Sequence, residues 1–301
     1  MDGKRIVNKT AEKKQRMKMR KQNTAYGTLA APIVIWTVLL IILPLLYLLF
    51  MSFMTKGLMG SIKYQLSLDS YKMIFDPVYA VVLEKSLVIA LWSTVACVIL
   101  GYPLAYFIAM KGSKKSRTYL LMLMIPFWTC VLVVIYSFVI LLSNSGIVNS
   151  FLLNLGIISK PKQLLYTDGA VMIGMVYNLL PFAVMPMYSS IEKMDFGLVE
   201  ASKDLGAGPV KTFFKITLPM TKPGIFAAVI LVFIPCIGYY MITDMLGGGT
   251  SIMIGNVIYN QFTSARNWPF GAALSIVLAA IILIMLRVYT KLGGDLDDLG
   301  G

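Results

Sequence analysis

The chain has 301 residues, of which 58% are hydrophobic and 14% charged, with a net charge of +13 and a mean hydropathy of +0.77. The hydropathy comes from long blocks without a single charge, which excludes a water-soluble fold whose helices each keep a polar face. The sequence contains no histidine, so a Ser-His-Asp triad, a His-ligated metal and a histidine proton relay are excluded as well.

Residues 1–28 form a basic tail that carries nine lysines and arginines between Lys4 and Lys21. Its position beside the first apolar block points to anionic lipid headgroups and to membrane orientation, not to nucleic acid. The apolar run that follows is longer than a signal-peptide core and lacks a small-residue cleavage site at its end, so it is expected to remain as a span.

A bilayer core of about 30 Å needs about 20 helical residues. By that measure, charge-free runs predict six spans, at 29–53, 86–110, 119–143, 169–191, 223–243 and 267–287. The third run is too long for one crossing. Ser143-Asn144-Ser145-Gly146 ends the span there and leaves 147–158 as a short interfacial or re-entrant helix. Lys56, Lys63, Lys72, Lys85, Lys160, Lys162 and Arg266 fall on one face, and the other twenty of the 27 basic residues fall on the opposite face. The positive-inside rule then places both termini in the cytoplasm. Residues 292–301, three aspartates among glycines, are expected to be a flexible acidic tail.

Cys97, Cys130 and Cys236 each lie in an apolar block and are expected to pack there. Asp168 is expected to cap the fourth span, and Glu84 beside Lys85 to lie at the interface. Pro126, Pro181, Pro186 and Pro235 sit inside spans, where they bend the helix or are simply tolerated.

Between the fourth and fifth spans, residues 192–222 are expected to form two short helices. Asp195 caps the first, Gly206 ends it in a left-handed turn, and Gly208-Pro209 opens the second. Val210, Phe213, Phe214 and Thr217 recur at spacings of three and four, with Lys211 and Lys215 on another side, which makes the second helix amphipathic. Pattern alone leaves it divided between a membrane surface and a partner's groove.

Glu200-Ala201-Ser202, then Gly206, then Ile216-Thr217-Leu218-Pro219 resembles the EAA signature of the membrane subunits of binding-protein-dependent ABC importers, with Ser202 where a second alanine is usual. Gly101-Tyr102-Pro103-Leu104-Ala105, Ile125-Pro126-Phe127-Trp128, Leu180-Pro181-Phe182, Met185 to Lys193, Ile254-Gly255-Asn256-Val257 and Trp268-Pro269-Phe270-Gly271-Ala272 resemble the B-type permeases of spermidine/putrescine importers, over roughly residues 30–290. The resemblance implies an all-α permease of the type I importer fold. Its loop would seat in a separate ATPase, with Glu200 as a charged anchor, Gly206 as the turn and Phe213 and Phe214 in apolar pockets. It also implies an ABC ATPase dimer holding ATP and Mg, a second homologous permease and an external polyamine-binding protein. The sequence has no phosphate-binding loop of its own. No cofactor, metal site or catalytic group is expected in this chain.

A polyamine needs carboxylates, carbonyls or aromatic faces in place of its water. Tyr240 and Asp244 lie one turn apart and could receive an ammonium group, or Asp244 could be solvated or paired with Arg266. Trp128, Tyr177 and Asn178 lie about 12–15 Å from the span edges, near the midplane. Asn178 could line the pathway or bond another helix, and Trp128 and Tyr136 could stack a cation or merely pack. Related importers of iron, molybdate or sulfate remain alternatives. A secondary carrier, which should show intramembrane carboxylates and repeats, and an intramembrane hydrolase fit less well.

Overall fold

The computed structural model describes residues 32–291, so the basic tail at 1–28 and the acidic tail at 292–301 lie outside the described residues. Thirteen helices occur among them: α1 (Pro32–Ser52), α2 (Asp69–Ile74), α3 (Pro77–Ala109), α4 (Ser113–Met124), α5 (Val131–Leu142), α6 (Ile147–Asn154), α7 (Asp168–Glu192), α8 (Gly197–Asp204), α9 (Pro209–Met220), α10 (Lys222–Gly238), α11 (Met241–Gly247), α12 (Ile254–Phe262) and α13 (Trp268–Lys291). A two-stranded antiparallel hairpin, β1 (Thr55–Lys56) with β2 (Ile62–Lys63), is a small addition to the otherwise helical chain. Five helical stretches are long and apolar enough to cross a membrane, and a sixth forms if α9 and α10, bent by 67° from each other, are taken as one broken span.

The core is the packing of α7 against α3 and α10. Small residues make it possible: Ala90, Ala105, Ala170, Ala183, Ala227 and Ala228 are wholly buried. Helices without water to drive them together associate through such close approach. A Cβ on Gly224 would run into Ser190 and the Pro186 carbonyl, and one on Gly101 would meet Met187 and Val184. By contrast α1 is buried nowhere along its apolar window and leans only on α13 and its neighbours.

Several boundaries differ from the sequence expectation. α3 begins at Pro77, nine residues before the predicted start, because the Asp76 carboxylate accepts the Val78 N–H at 3.0 Å and Pro77 fits the first helical turn. Charges at Glu84 and Lys85 end the apolar run but not the helix. The third span is interrupted: α4 ends at Met124, a single 3-10 turn covers Pro126–Trp128, and α5 starts only at Val131. Cys130 is exposed in that gap, whereas Cys97 and Cys236 are buried. The fifth span is also interrupted, at Tyr239 and Tyr240, between α10 and α11. The break expected at Ser143–Gly146 is present, and α6 follows it. π-helical turns at Val38–Ile42 and Phe213–Thr217 precede Pro44 and Pro219, where proline's missing N–H and its ring displace the regular ladder.

At the end of the bundle remote from residues 192–222, Lys85 ties three elements together. Its Nζ lies 3.1 Å from Asp168 Oδ1 and donates to the Thr250 carbonyl at 2.8 Å, while the Ser251 hydroxyl donates to Asp168. Asp168 is therefore a clamp residue, not the cap: the cap of α7 is Thr167, whose hydroxyl accepts the Ala170 N–H at 3.2 Å. Glu84 is exposed on α3.

α12, unanticipated from the sequence, approaches α10 backbone to backbone, because a Cβ on Gly255 would overlap the Gly238 carbonyl oxygen. Gly255→Ala is expected to destabilise the protein by about 1–3 kcal/mol through overpacking, read as a lower unfolding midpoint in detergent. An unchanged midpoint would show that the two helices are not in contact there.

Candidate functional site

Residues 192–222 fold as two short helices around a left-handed glycine. Asp195 Oδ1 accepts the Gly197 N–H at 2.9 Å as α8 begins, and Gly206 adopts φ 78° directly after α8. Ser202 is 6% exposed, and its hydroxyl pairs with the Thr212 hydroxyl at 2.8 Å, locking α8 to α9. The small side chain at 202 permits the close approach expected of it and adds a buried hydrogen bond.

The outer surface of this loop carries exposed apolar side chains among charges of both signs, Lys203, Asp204, Lys211 and Lys215 included. Leu205 is 88% exposed, Val210 68% and Phe214 61%, and Glu200 and Ala201 are exposed beside them. Phe213 behaves differently. It turns inward, with its ring 5.6 Å from Tyr102 of α3 at an interplanar angle of 84°, so it packs within this chain and Phe214 alone of the pair faces out. Ile216 and Leu218 are half-buried and Pro219 is exposed.

Two residues of α3 tie the loop to the spans: the Tyr106 ring lies 6.5 Å from that of Phe196, and Tyr102 reaches the loop further along. Tyr102 Oη lies 2.8 Å from the Thr221 hydroxyl, and Thr221, wholly buried, occupies the 67° elbow between α9 and α10. Thr221 Oγ1 also reaches the Thr217 carbonyl at 2.8 Å. Tyr102 thus contacts both α9, through Phe213, and the elbow.

The pathway candidates gather around the two interrupted spans, but not in one pocket. Trp128 lies in the turn between α4 and α5 and is 74% exposed; Tyr136 on α5 is 57% exposed. Tyr177 packs edge-on against Phe138 at 5.3 Å and lines an apolar cavity of about 600 Å³ with Leu100, Met172 and Leu180. Asn178, adjacent in sequence, faces another way and accepts the Tyr239 hydroxyl at 3.0 Å. It is a helix-to-helix hydrogen bond between α7 and the end of α10. Tyr239, Tyr240, Gly238, Pro235 and Val131 line a second cavity of about 390 Å³, which joins the start of α5 to the gap after α10. Asp244 is exposed on α11, and among the described residues it has no ion-pair partner, Arg266 included. Sequence reasoning missed Tyr239, Tyr259 and Tyr102 as site residues. The Tyr239-Tyr240 pair directly after Gly238 was the available signal.

Residues 101–295 match the family described as the binding-protein-dependent transport system inner membrane component. The chain belongs to that family. It is 47% identical over 259 residues to the spermidine/putrescine transport system permease protein PotB of Escherichia coli (strain K12), covering 86% of this chain and 94% of that one. Identity to the protein of the same name from Haemophilus influenzae is 39%, over 85% and 90% of the two chains. The fold resembles a chain in the crystal structure of a bacterial ABC transporter involved in the import of the acidic polysaccharide alginate, with a TM-score of 0.74 over 92% of this chain and 98% of that one at 18% identity. This importer permease is a multi-pass inner-membrane protein and a transporter subunit.

The Ser202–Thr212 bond predicts a specific fragility. Ser202→Ala leaves a buried hydroxyl unpaired, which costs about 1–3 kcal/mol. Limited trypsinolysis should then cut faster at Lys203 and Lys211, with helix content unchanged. Wild-type protection would mean that the pair does not hold the loop.

Proposed function

We propose that this permease forms half of the membrane pathway of an ATP-driven importer of polyamines such as spermidine and putrescine. The observation that carries the reading is 47% identity to PotB across most of both chains. The chemistry agrees with it: the apolar spans hold no lysine or arginine in their interiors, Arg287 and Lys291 lying only at the end of α13, and the interrupted spans expose tyrosines and a tryptophan. A cation route favours such surfaces, whereas an anion route calls for buried basic groups.

In this reading both termini are cytoplasmic and the basic tail rests on anionic headgroups. An external binding protein hands polyamine to the face bearing α12 and the hairpin. A second, homologous permease supplies the other half of the pathway. An ABC ATPase dimer, which holds ATP and Mg, docks on residues 192–222: Leu205, Val210 and Phe214 enter its cleft, Glu200 meets a basic or donor group, and Ala201 allows close contact. Gly206, Ile216, Leu218 and Pro219 set the shape of the loop. Closure of the ATPase pair tilts α9, and the elbow at Thr221 carries that motion into α10 and α3. The permease then shifts between outward- and inward-facing populations through differential ATP binding.

Uptake of labelled spermidine, putrescine, iron and molybdate by cells with and without this subunit tests the substrate. Polyamine entry should depend on the subunit and the other two should not. Unchanged polyamine entry with a fall in iron or molybdate would overturn the assignment. Glu200→Ala should reduce copurification of the ATPase, whereas a self-sufficient carrier would show no such dependence.

A further inference from the structure

The gap after α10 is braced by a buried amide that both accepts and donates. Asn256 is 7% exposed; its Oδ1 accepts from Thr243 Oγ1 at 2.6 Å and from the Met253 N–H at 3.1 Å, and its Nδ2 donates to the Tyr240 carbonyl at 3.1 Å. These bonds fix α12 against α11. Hydrogen bonds between groups buried away from water rigidify the elements they join.

That bracing lays the Tyr259 ring on the Tyr240 ring, with centroids 4.3 Å apart and planes 10° from parallel. Tyr259 is 43% exposed, so the stacked pair is not sealed in the core. The Asp244 N–H donates to the Tyr240 carbonyl at 2.8 Å, which sets the carboxylate one helical turn above the same pair. Asp244 is exposed and unpaired among the described residues, and the cavity of about 390 Å³ opens beside Tyr240. An exposed carboxylate one helical turn from Tyr240, whose ring stacks on Tyr259 and lines the cavity, with no basic side chain paired to it among the described residues, is complementary to an organic cation and repels an anion.

We infer that Tyr240, Tyr259 and Asp244 form a receiving subsite for a primary ammonium group at the entrance to the gap after α10. The subsite rests on the polyamine reading and deepens it. Asp244 supplies the charge, the stacked rings supply π faces and keep the methylene chain dry, and Asn256 is the positioning residue that holds the rings together. The cation meets this subsite only after leaving the external binding protein. Its loss therefore slows translocation without changing the solute concentration that half-saturates uptake.

The test is polyamine uptake into proteoliposomes containing the complete transporter, with saturating binding protein and rates counted per assembled complex. Asp244→Asn should lower the maximal spermidine rate about tenfold and Tyr259→Leu about fivefold, both with an unchanged half-saturating concentration. Asp244→Glu and Tyr259→Phe, which keep the charge and the ring face, should retain most of the rate. Wild-type rates in Asp244→Asn or Tyr259→Leu would overturn the subsite alone. So would a loss in Tyr259→Phe equal to that in Tyr259→Leu, since stacking would then not be what matters. If the unmodified transporter imports no polyamine, the substrate reading fails, and the subsite with it.

Discussion

The hydroxyl pair between Tyr102 and Thr221 is the contact on which the rest of this architecture turns. It lies at a buried elbow where two helices meet with a bend of 67°, and away from water a neutral hydrogen bond gains electrostatic strength. The sequence disfavours a straight helix there. Pro219 and Pro223 remove backbone donors on both sides of Thr221, and a π-turn precedes the first of them. Because Tyr102 also packs on Phe213, one residue of α3 holds both the α9 arm and the elbow itself. The loop is thereby held against α3 and the root of α10.

A second constraint shapes the opposite end of α10. Hydrocarbon offers the backbone no partners, so an interrupted span must face protein or line a cavity. The second interruption obeys that rule, since Tyr239 and Tyr240 line a cavity, whereas residues 125–130 of the first are exposed. Val131, the first residue after one gap, lines the same cavity as Tyr239 and Tyr240 in the other. α12 covers the gap after α10 through Asn256 and the close approach of Gly255 to Gly238. The elbow and the gap sit at the two ends of one helix, α10.

Charge-free runs revealed the long spans because a charge in hydrocarbon is costly, and the loop was legible because Asp195, Gly206 and Pro209 are strong local punctuation. The start of α3 was missed because Lys85 ends an apolar run while Asp76-Pro77 starts a helix, and hydropathy sees only the first. The gap at 125–130 was hidden because its residues are as apolar as a continuous span; Pro126 signalled a bend but not a missing stretch of helix. Periodicity placed Phe213 and Phe214 on one amphipathic surface. It could not say that Tyr102, over a hundred residues away in sequence, would claim Phe213 for the interior. For the same reason the sequence leaves Asn178 between two roles that its hydrogen bond to Tyr239 decides, and nothing local marks Tyr259, whose stacking on Tyr240 depends on tertiary contacts of Asn256. Local chemistry was readable; pairings between distant segments were not.

The most direct measurement is the amount of polyamine imported per ATP hydrolysed by the purified transporter carrying Tyr102→Leu, which removes both the ring contact and the hydroxyl. If the elbow transmits the motor's stroke, the ATPase should remain bound and hydrolyse ATP while import per ATP falls about tenfold, the loss of roughly 1.4 kcal/mol of coupling. Import per ATP equal to that of the unmodified transporter would contradict the account.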